Sequence, residues 1–432
     1  MPPRPPEPAR STSTERAAIV GLITGTTRRL GAERSLDELA GLADAAGARV
    51  ALRVAQERPR PDPATFLGSG KVATLASACT EADIDLVIFD SELTPAQLRE
   101  LEARLERKVI DRTQLILDIF ARRARTREGK WQVELAQLKY LLPRLVGAGT
   151  ALSRLGGGIG TRGPGETKLE TDRRKIRRRI HQIEEEIEEV RRRRAQLRER
   201  RQKRAVPTVA LVGYTNAGKT TLFNLLTRER AESNDALFVT LDPLVRRVRL
   251  PDRRELLVSD TVGFIDRLPH TLVAAFRATL EEVAEADLVL HVIDAATPER
   301  ERHTSAVRGV LEEMGASTVE RIDVYNKCDL LEPGELQRLR FSDPAALFIS
   351  ARRGDGRDDL LEALAARLAL DVQRITLEFQ ARAADTPERI ARVYRDAHVV
   401  RHVTLDGQVT IEADVPRRLV PRLQASPAES PR

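Results

Sequence analysis

Short apolar runs alternate with amphipathic stretches over the first 125 residues. Residues 17–22, 50–54, 86–89 and 109–110 read as strands, and the apolar spacing over 36–46, 71–81 and 95–105 reads as helices. Strands separated by helices predict a parallel sheet. Residues 113–145 read as helical and end at Leu142-Pro143. The next stretch, 147–170, is too rich in glycine to hold a fixed fold alone. A long charged helix is expected from Glu166 to about Arg204. Its apolar residues Ile176, Ile180, Ile183, Ile187, Val190 and Leu197 form a heptad seam interrupted at Arg194. Such a seam asks for a partner helix, and the preceding one offers it as an antiparallel hairpin.

Alternation resumes from 206 to about 370. The last segment, with strands at 375–379, 399–405 and 408–412, an Asp406-Gly407 turn and helices at 387–396 and from Pro416, predicts a small α/β domain with one hairpin. The expected fold class is therefore α/β and multidomain. Residues 1–16 form a proline-rich tail, 17–125 an N-terminal α/β subdomain, and 126–205 a helical hairpin with a glycine-rich loop. Residues 206–370 form a phosphate-binding domain with a mainly parallel sheet, and 371–425 the small C-terminal domain.

Charge adds a partner class. Lys plus Arg number 72 against 65 Asp plus Glu, and residues 173–204 hold 15 of the basic residues against six Glu. The excess is thus placed on one helix, where nucleic acid is the leading candidate partner and a solvated coiled-coil face the plainer explanation. Only nine basic residues are lysine. A lysine in this background marks a position where a compact ammonium suits and a planar guanidinium does not. Cys79 and Cys328 make neither a disulfide framework nor a zinc site, and no apolar run approaches 18 residues. No secretory leader pattern stands at the N-terminus, so a cytoplasmic location without a membrane span is expected. The glycine-rich turn 66–71 is a further, weaker candidate anion site.

The chemistry concentrates in the second half. Gly213-Tyr214-Thr215-Asn216-Ala217-Gly218-Lys219-Thr220 matches G-x-x-x-x-G-K-[ST], with a strand before it and a helical pattern from Thr221 onward. Backbone N–H groups of such a loop wrap the β-phosphate, Lys219 reaches the β/γ oxygens and Thr220 offers a hydroxyl to Mg²⁺. The base is read at Asn326-Lys327-Cys328-Asp329, at the end of the apolar run 322–325. The Asp329 carboxylate can accept from guanine N1–H and its exocyclic amine. Adenine offers neither pattern, and an unsatisfied buried acceptor costs about 1–3 kcal/mol, so GTP is expected over ATP.

Asp260-Thr261-Val262-Gly263 follows another strand, with Asp260 expected to hold Mg²⁺ through water and the Gly263 N–H to meet the γ-phosphate. Within Phe238-Val239-Thr240-Leu241-Asp242, Thr240 offers the second hydroxyl for Mg²⁺. Ser350-Ala351-Arg352 is expected to close over guanine O6 through backbone N–H groups. Phe264 stands where signalling GTPases carry a water-orienting Gln and cannot position water by hydrogen bonding, so unaided hydrolysis should be slow. Asn216 resembles the loop asparagine of GTPases that use K⁺ in place of an arginine finger, and a completing partner is the other remedy.

Together with T-R-G-P-G-E-T-K-L-E-T-D-R-R at 161–174, these motifs resemble the HflX family of ribosome-associated, translation-factor-related GTPases. The resemblance spans most of the chain, and the 161–174 run is its most specific part. It implies GTP hydrolysis stimulated by the ribosome, binding of the N-terminal region to the 50S subunit, and a role in splitting or rescuing ribosomes under stress. It also implies ATP binding in the N-terminal half. Gly156, Gly157, Gly158, Arg162, Gly163, Gly165, Arg173 and Arg174 become the expected ribosomal RNA contacts. Off the ribosome, a monomer is expected. The competing reading is a K⁺-dependent GTPase of the tRNA-modifying type, for which neither cysteine is suitably placed.

Overall fold

The structure, a computed structural model, describes residues 14–24, 29–145, 164–203, 206–227, 237–238, 244–251, 254–266, 282–369, 372–381, 383, 385–405, 407–416 and 419–424. The chain divides into two compact units. The first takes residues up to Ile187 together with Leu237 and Phe238, and the second takes most of the chain from Glu188 onward.

In the first unit, β1 (Arg16–Ile23), β2 (Arg49–Glu57), β3 (Leu86–Phe89) and β4 (Lys108–Asp111) form a parallel sheet in the order β2-β1-β3-β4. The helices α1 (Arg29–Ala45), α2 (Ser69–Glu81) and α3 (Pro95–Leu105) connect them. Burial explains the two kinds of apolar run. Strand β3 is buried at every position, as a central strand covered on both faces must be, whereas edge strand β2 alternates half-buried and exposed residues. Helix α3 begins where Thr94 and Gln97 form a reciprocal capping box.

The helical stretch expected over 113–145 is two helices, α4 (Arg112–Arg123) and α5 (Arg127–Arg144). The break has a local cause: Ala124 adopts an extended conformation, and Thr126 caps the second helix by accepting from the Gly129 amide. Pro143 is tolerated inside the last turn of α5. The long helix α6 (Pro164–Lys203) runs close to its expected bounds. Ile183 is its fully buried seam residue, while Arg179 pairs with Glu134 at 2.7 Å and Lys139 with Glu184 at 2.7 Å, linking α6 to α5.

The second unit contains a six-stranded sheet in the order β10-β9-β8-β5-β7-β6. Its strands are β5 (Thr208–Gly213), β6 (Leu244–Arg249), β7 (Glu255–Asp260), β8 (Leu288–Asp294), β9 (Arg321–Asn326) and β10 (Leu347–Phe348). All neighbours are parallel except β6, which pairs antiparallel with β7 at the edge. Helices α7 (Lys219–Thr227), α8 (Arg300–Glu313), α9 (Pro333–Ser342) and α10 (Arg357–Ala369) follow the strands. Val209, Leu211, Leu256, Val258, Leu290, Val292 and Val324 build its core. Because β7 lies on one side of β5 and β8 on the other, the chain reverses direction across the sheet at β5. The crevice beyond the carboxyl end of β5 is therefore the expected ligand position.

The C-terminal segment folds as an antiparallel sheet in the order β11-β13-β12, from β11 (Val372–Gln380), β12 (His398–Leu405) and β13 (Gln408–Pro416). Helices α11 (Thr386–Asp396) and α12 (Val420–Gln424) cover one face, with Leu377, Phe379, Val393, Ile411 and Val415 between them.

Sequence reasoning missed a charged network at the carboxyl ends of β3 and β4. The Arg112 guanidinium pairs with Asp90 at 3.0 Å and Glu38 at 2.9 Å, and Ser35 donates to the second oxygen of Asp90 at 2.6 Å. Both Arg112 and Asp90 are buried. Removing one partner leaves the other charge uncompensated, so Arg112→Ala should lower the unfolding free energy of the first unit by about 3–5 kcal/mol. Urea titration of the variant measures it, and a loss under about 1 kcal/mol would contradict the buried-pair account.

Candidate nucleotide-binding site

Strand β5 delivers Gly213 to the carboxyl end of the central strands, and the chain then turns through 214–218 into α7. Two backbone conditions make that turn. Asn216 lies in the left-handed region at φ 60°, which asparagine tolerates better than most residues. Gly218 has φ 89°, and a Cβ there would collide with the Asn326 amide nitrogen. The second condition ties the loop to a residue 108 positions away: Asn326, at the end of β9, donates Nδ2 to the Ala217 carbonyl at 2.9 Å.

Lys219, the first residue of α7, is buried and donates Nζ to the Gly213 carbonyl at 3.1 Å and the Tyr214 carbonyl at 2.9 Å. Burial pulls its ammonium down to about 8, against the opposing attraction of Asp260. The next residue, Thr220, donates its hydroxyl to Asp260 Oδ2 at 2.8 Å. The two groups expected to share Mg²⁺ are thus neighbours, brought together by the end of β7 and the first turn of α7. A hydroxyl and a carboxylate at this spacing are an oxygen donor set of the kind Mg²⁺ takes, so the residues fit the ion. Thr221 follows in the same half-buried first turn of the helix.

The Asp260 segment is stitched to the loop. Phe264 N donates to the Gly213 carbonyl at 3.1 Å and Thr215 N to the Phe264 carbonyl at 2.6 Å. Gly263 passes so close that an added Cβ would sit 2.9 Å from Thr215 Cα and 3.1 Å from Lys219 Nζ. Thr261 and Val262 are buried, and the Thr261 hydroxyl donates to the Leu211 carbonyl at 2.6 Å. Their side chains therefore fix the strand end, and any contact with nucleotide falls to their backbone. The Phe264 ring is buried too, which agrees with its reading as a residue that cannot orient water.

At the other end of the site, Lys327 takes a left-handed φ of 64° and opens a short 3-10 turn, Cys328–Leu330. Lys327 Nζ pairs with Asp294 at 2.8 Å, and Arg353 Nε approaches the Asp329 carboxylate at 3.7 Å. Cys328 donates its thiol to the Tyr325 carbonyl, and burial raises that thiol to about 11, so it is held protonated and inert. The Ser350 amide donates to the Asp355 carbonyl and the Ala351 amide to Asn326 Oδ1 at 2.9 Å. A base carbonyl reaching this loop would share the Ala351 amide or draw on that of Arg352.

Not every expected residue joins this cluster. Phe238 belongs to the first unit, where its buried ring meets Phe120 edge to face at 4.7 Å. Val239, Thr240, Leu241 and Asp242 lie outside the described residues, as do Gly156, Gly157, Gly158, Arg162 and Gly163. Gly165, Arg173 and Arg174 lie on α6, with Arg174 exposed and Arg173 within 3.9 Å of Glu170. Asp294 and Arg353, which sequence reasoning passed over, carry no motif of their own and are found only through their partners.

A glycine-bounded loop at the carboxyl end of a central parallel strand, with its lysine, hydroxyl and carboxylate together and an Asn-Lys-x-Asp turn beside it, defines a P-loop GTPase. Family models agree: residues 33–121 match the N-terminal region and 123–201 the middle region of GTP-binding GTPases, and 208–327 match the 50S ribosome-binding GTPase family. A GTPase HflX from Caldanaerobacter subterraneus subsp. tengcongensis is 50% identical over 367 residues, 84% of this chain and 83% of its own. The GTPase HflX of Escherichia coli is 46% identical, over 88% of this chain and 89% of its own. A crystal structure of a GTP-binding protein from Sulfolobus solfataricus with GDP matches at 23% identity and a TM-score of 0.43, over 82% of this chain and 98% of that one. The chain belongs to the HflX family of GTPases and is a GTP hydrolase.

The depressed Lys219 ammonium gives a signed pH dependence. Phosphate oxygens stabilise the charged form, so guanine nucleotide affinity should be greatest below about pH 8 and fall as pH rises through that value. Stability of the free protein moves the other way: between about 8 and the ordinary lysine value the unfolded chain binds more protons, so this group's penalty is relieved as pH rises. Calorimetric titration of GDP from pH 7 to 9.5, with net proton uptake above pH 8, checks the first sign. Pairing at Asp329 predicts that Asp329→Asn weakens GDP binding by roughly 10- to 100-fold while gaining xanthine nucleotide, whose second carbonyl suits an amide donor.

Proposed function

We propose that this chain is a 50S-dependent GTPase, slow by itself and stimulated by the large ribosomal subunit, that splits or rescues ribosomes under stress. The observation that carries the reading is the combination of the assembled phosphate loop, Asp260 turn and Asn326 turn with a buried Phe264 where a water-orienting side chain would stand. A site built to bind, with an apolar side chain at the water-orienting position, calls for completion from outside. The family model over 208–327, described as 50S ribosome-binding GTPase, supports the choice of partner.

In the bound state, Lys219 and the loop amides hold the β- and γ-phosphates, and the Gly263 amide orients the terminal one. Thr220 and Thr240, with Asp260 through water, would hold Mg²⁺, which would offset phosphate charge. Lys327 lies along the base and Asp329 reads it. Asn216 offers an oxygen to a K⁺ ion beside the phosphates, a second means of offsetting charge. The glycine-rich loop with Gly156, Gly157, Gly158, Arg162, Gly163 and Gly165, and the basic start of α6 with Arg173 and Arg174, follow ribosomal RNA phosphates, so affinity falls steeply with salt. The tRNA-modifying alternative is not favoured, because the HflX relatives are matched over 83% and 89% of their length.

Sedimentation through a sucrose cushion tests the partner. With a non-hydrolysable GTP analogue the protein should pellet with 50S and not with 30S subunits. Raising KCl from about 50 to 200 mM should weaken binding by orders of magnitude, as should deletion of residues 156–165. Equal recovery with both subunits, or no effect of the deletion, would contradict the proposal.

A further inference from the structure

A cluster beside the phosphate loop joins the motif residue Tyr214 to residues outside the motifs. Asp266, two residues beyond Phe264, accepts from Arg302 Nη2 at 2.5 Å and Nε at 3.2 Å, and its own backbone N–H donates to the Tyr214 hydroxyl at 2.9 Å. Arg302 stands in the first turn of α8 and also donates to Glu299 at 3.4 Å. The His303 ring stacks on the Tyr214 ring at 3.7 Å and 8°, with its Nε2 3.6 Å from the same Glu299 carboxylate. Tyr214 is the second residue of the phosphate loop, so one helix end grips both the loop and the segment that leaves the γ-phosphate position.

Geometry gives this grip a consequence for the reaction. The backbone of Gly263 and Phe264 lies between two anchors, Asp260 bonded to Thr220 on one side and Asp266 bonded to Arg302 on the other. Between them, Phe264 N and the Phe264 carbonyl bond to Gly213 and Thr215, and Gly263 lies beside Lys219. With no polar side chain at 264, this segment can act at the γ-phosphate only through the placement of these backbone groups. The first anchor belongs to the proposed metal-binding pair, and the second is the Asp266–Arg302 pair. We infer that Arg302 and Asp266 are positioning residues for GTP hydrolysis, holding the Gly263–Phe264 backbone beside Lys219 through an ion pair in which two guanidinium nitrogens donate to one carboxylate oxygen, braced by Tyr214 and His303.

Two guanidinium donors converging on Asp266 Oδ2 restrain the pair more than a single contact would, and small displacements at a reacting centre cost rate steeply. Nucleotide affinity rests on the loop, Lys219 and Asp329, so it should be spared. The test uses the full chain without ribosomes, in single-turnover GTP hydrolysis with enzyme in excess. Arg302→Ala and Asp266→Asn should each slow the rate on the order of tenfold, with GDP affinity within about twofold of the parent. Arg302→Lys should recover only part of the rate, since an ammonium cannot span both contacts. The double variant should be no slower than either single one, as expected for two halves of one contact. A role limited to folding would lower GDP affinity in parallel with rate. That pattern, rates within twofold of the parent or faster, or losses that multiply in the double variant would each overturn the inference.

Discussion

Asn326 is the side chain on which the site depends. It is almost wholly buried at the end of β9, donates to Ala217 in the phosphate loop and accepts from Ala351 in the third loop, each at 2.9 Å. Its own carbonyl accepts from Ala295 at the end of β8, so three strand ends and the loop meet at one residue. An amide serves because it is donor and acceptor at once. Glycine is required at 218 because this amide nitrogen occupies the space a Cβ would need. The phosphate end and the base end of the nucleotide site are therefore one connected piece of backbone, and their spacing is set by the register of β8 against β9, where Asp294 faces Asn326.

Chemistry then follows from what this frame can and cannot hold. Lys219 is buried at a cost that phosphate charge would offset, and Thr220 and Asp260 are already in contact. The Phe264 ring is packed away, so position 264 contributes its backbone but no polar side chain for water. An assembled phosphate loop beside an apolar residue at the water-orienting position is the physical reason for looking to a large partner. The most basic helix of the chain, α6, adjoins the glycine-rich segment that the family resemblance points to, and its Arg174 and Lys175 are exposed.

Elements with strong periodicity or a motif were legible in the sequence. The strands of the first sheet fall within a few residues of their expected places, because full burial of β3 and one-sided burial of β2 write different patterns. The loop, the Asp260 turn and the Asn326 turn were legible because phosphate and guanine restrict residue type at fixed spacing. What escaped was set by tertiary pairing. The break at 124–126 depends on one threonine cap inside a continuous helical pattern. The Arg112–Asp90–Glu38 network and the Arg302–Asp266 pair join residues far apart in a chain crowded with arginine, where no single arginine stands out. Phe238 was placed with the nucleotide by its neighbours in sequence, whereas its ring packs with Phe120 in the first unit.

The central claim is that the nucleotide site is complete for binding and incomplete for hydrolysis until the large subunit is present. Single-turnover hydrolysis of GTP by the full chain, in KCl and in NaCl, with and without 50S subunits, addresses it directly. The account predicts slow turnover alone in both salts and acceleration of at least about tenfold by 50S subunits. Full activity in KCl alone, with nothing added by 50S subunits, would contradict it.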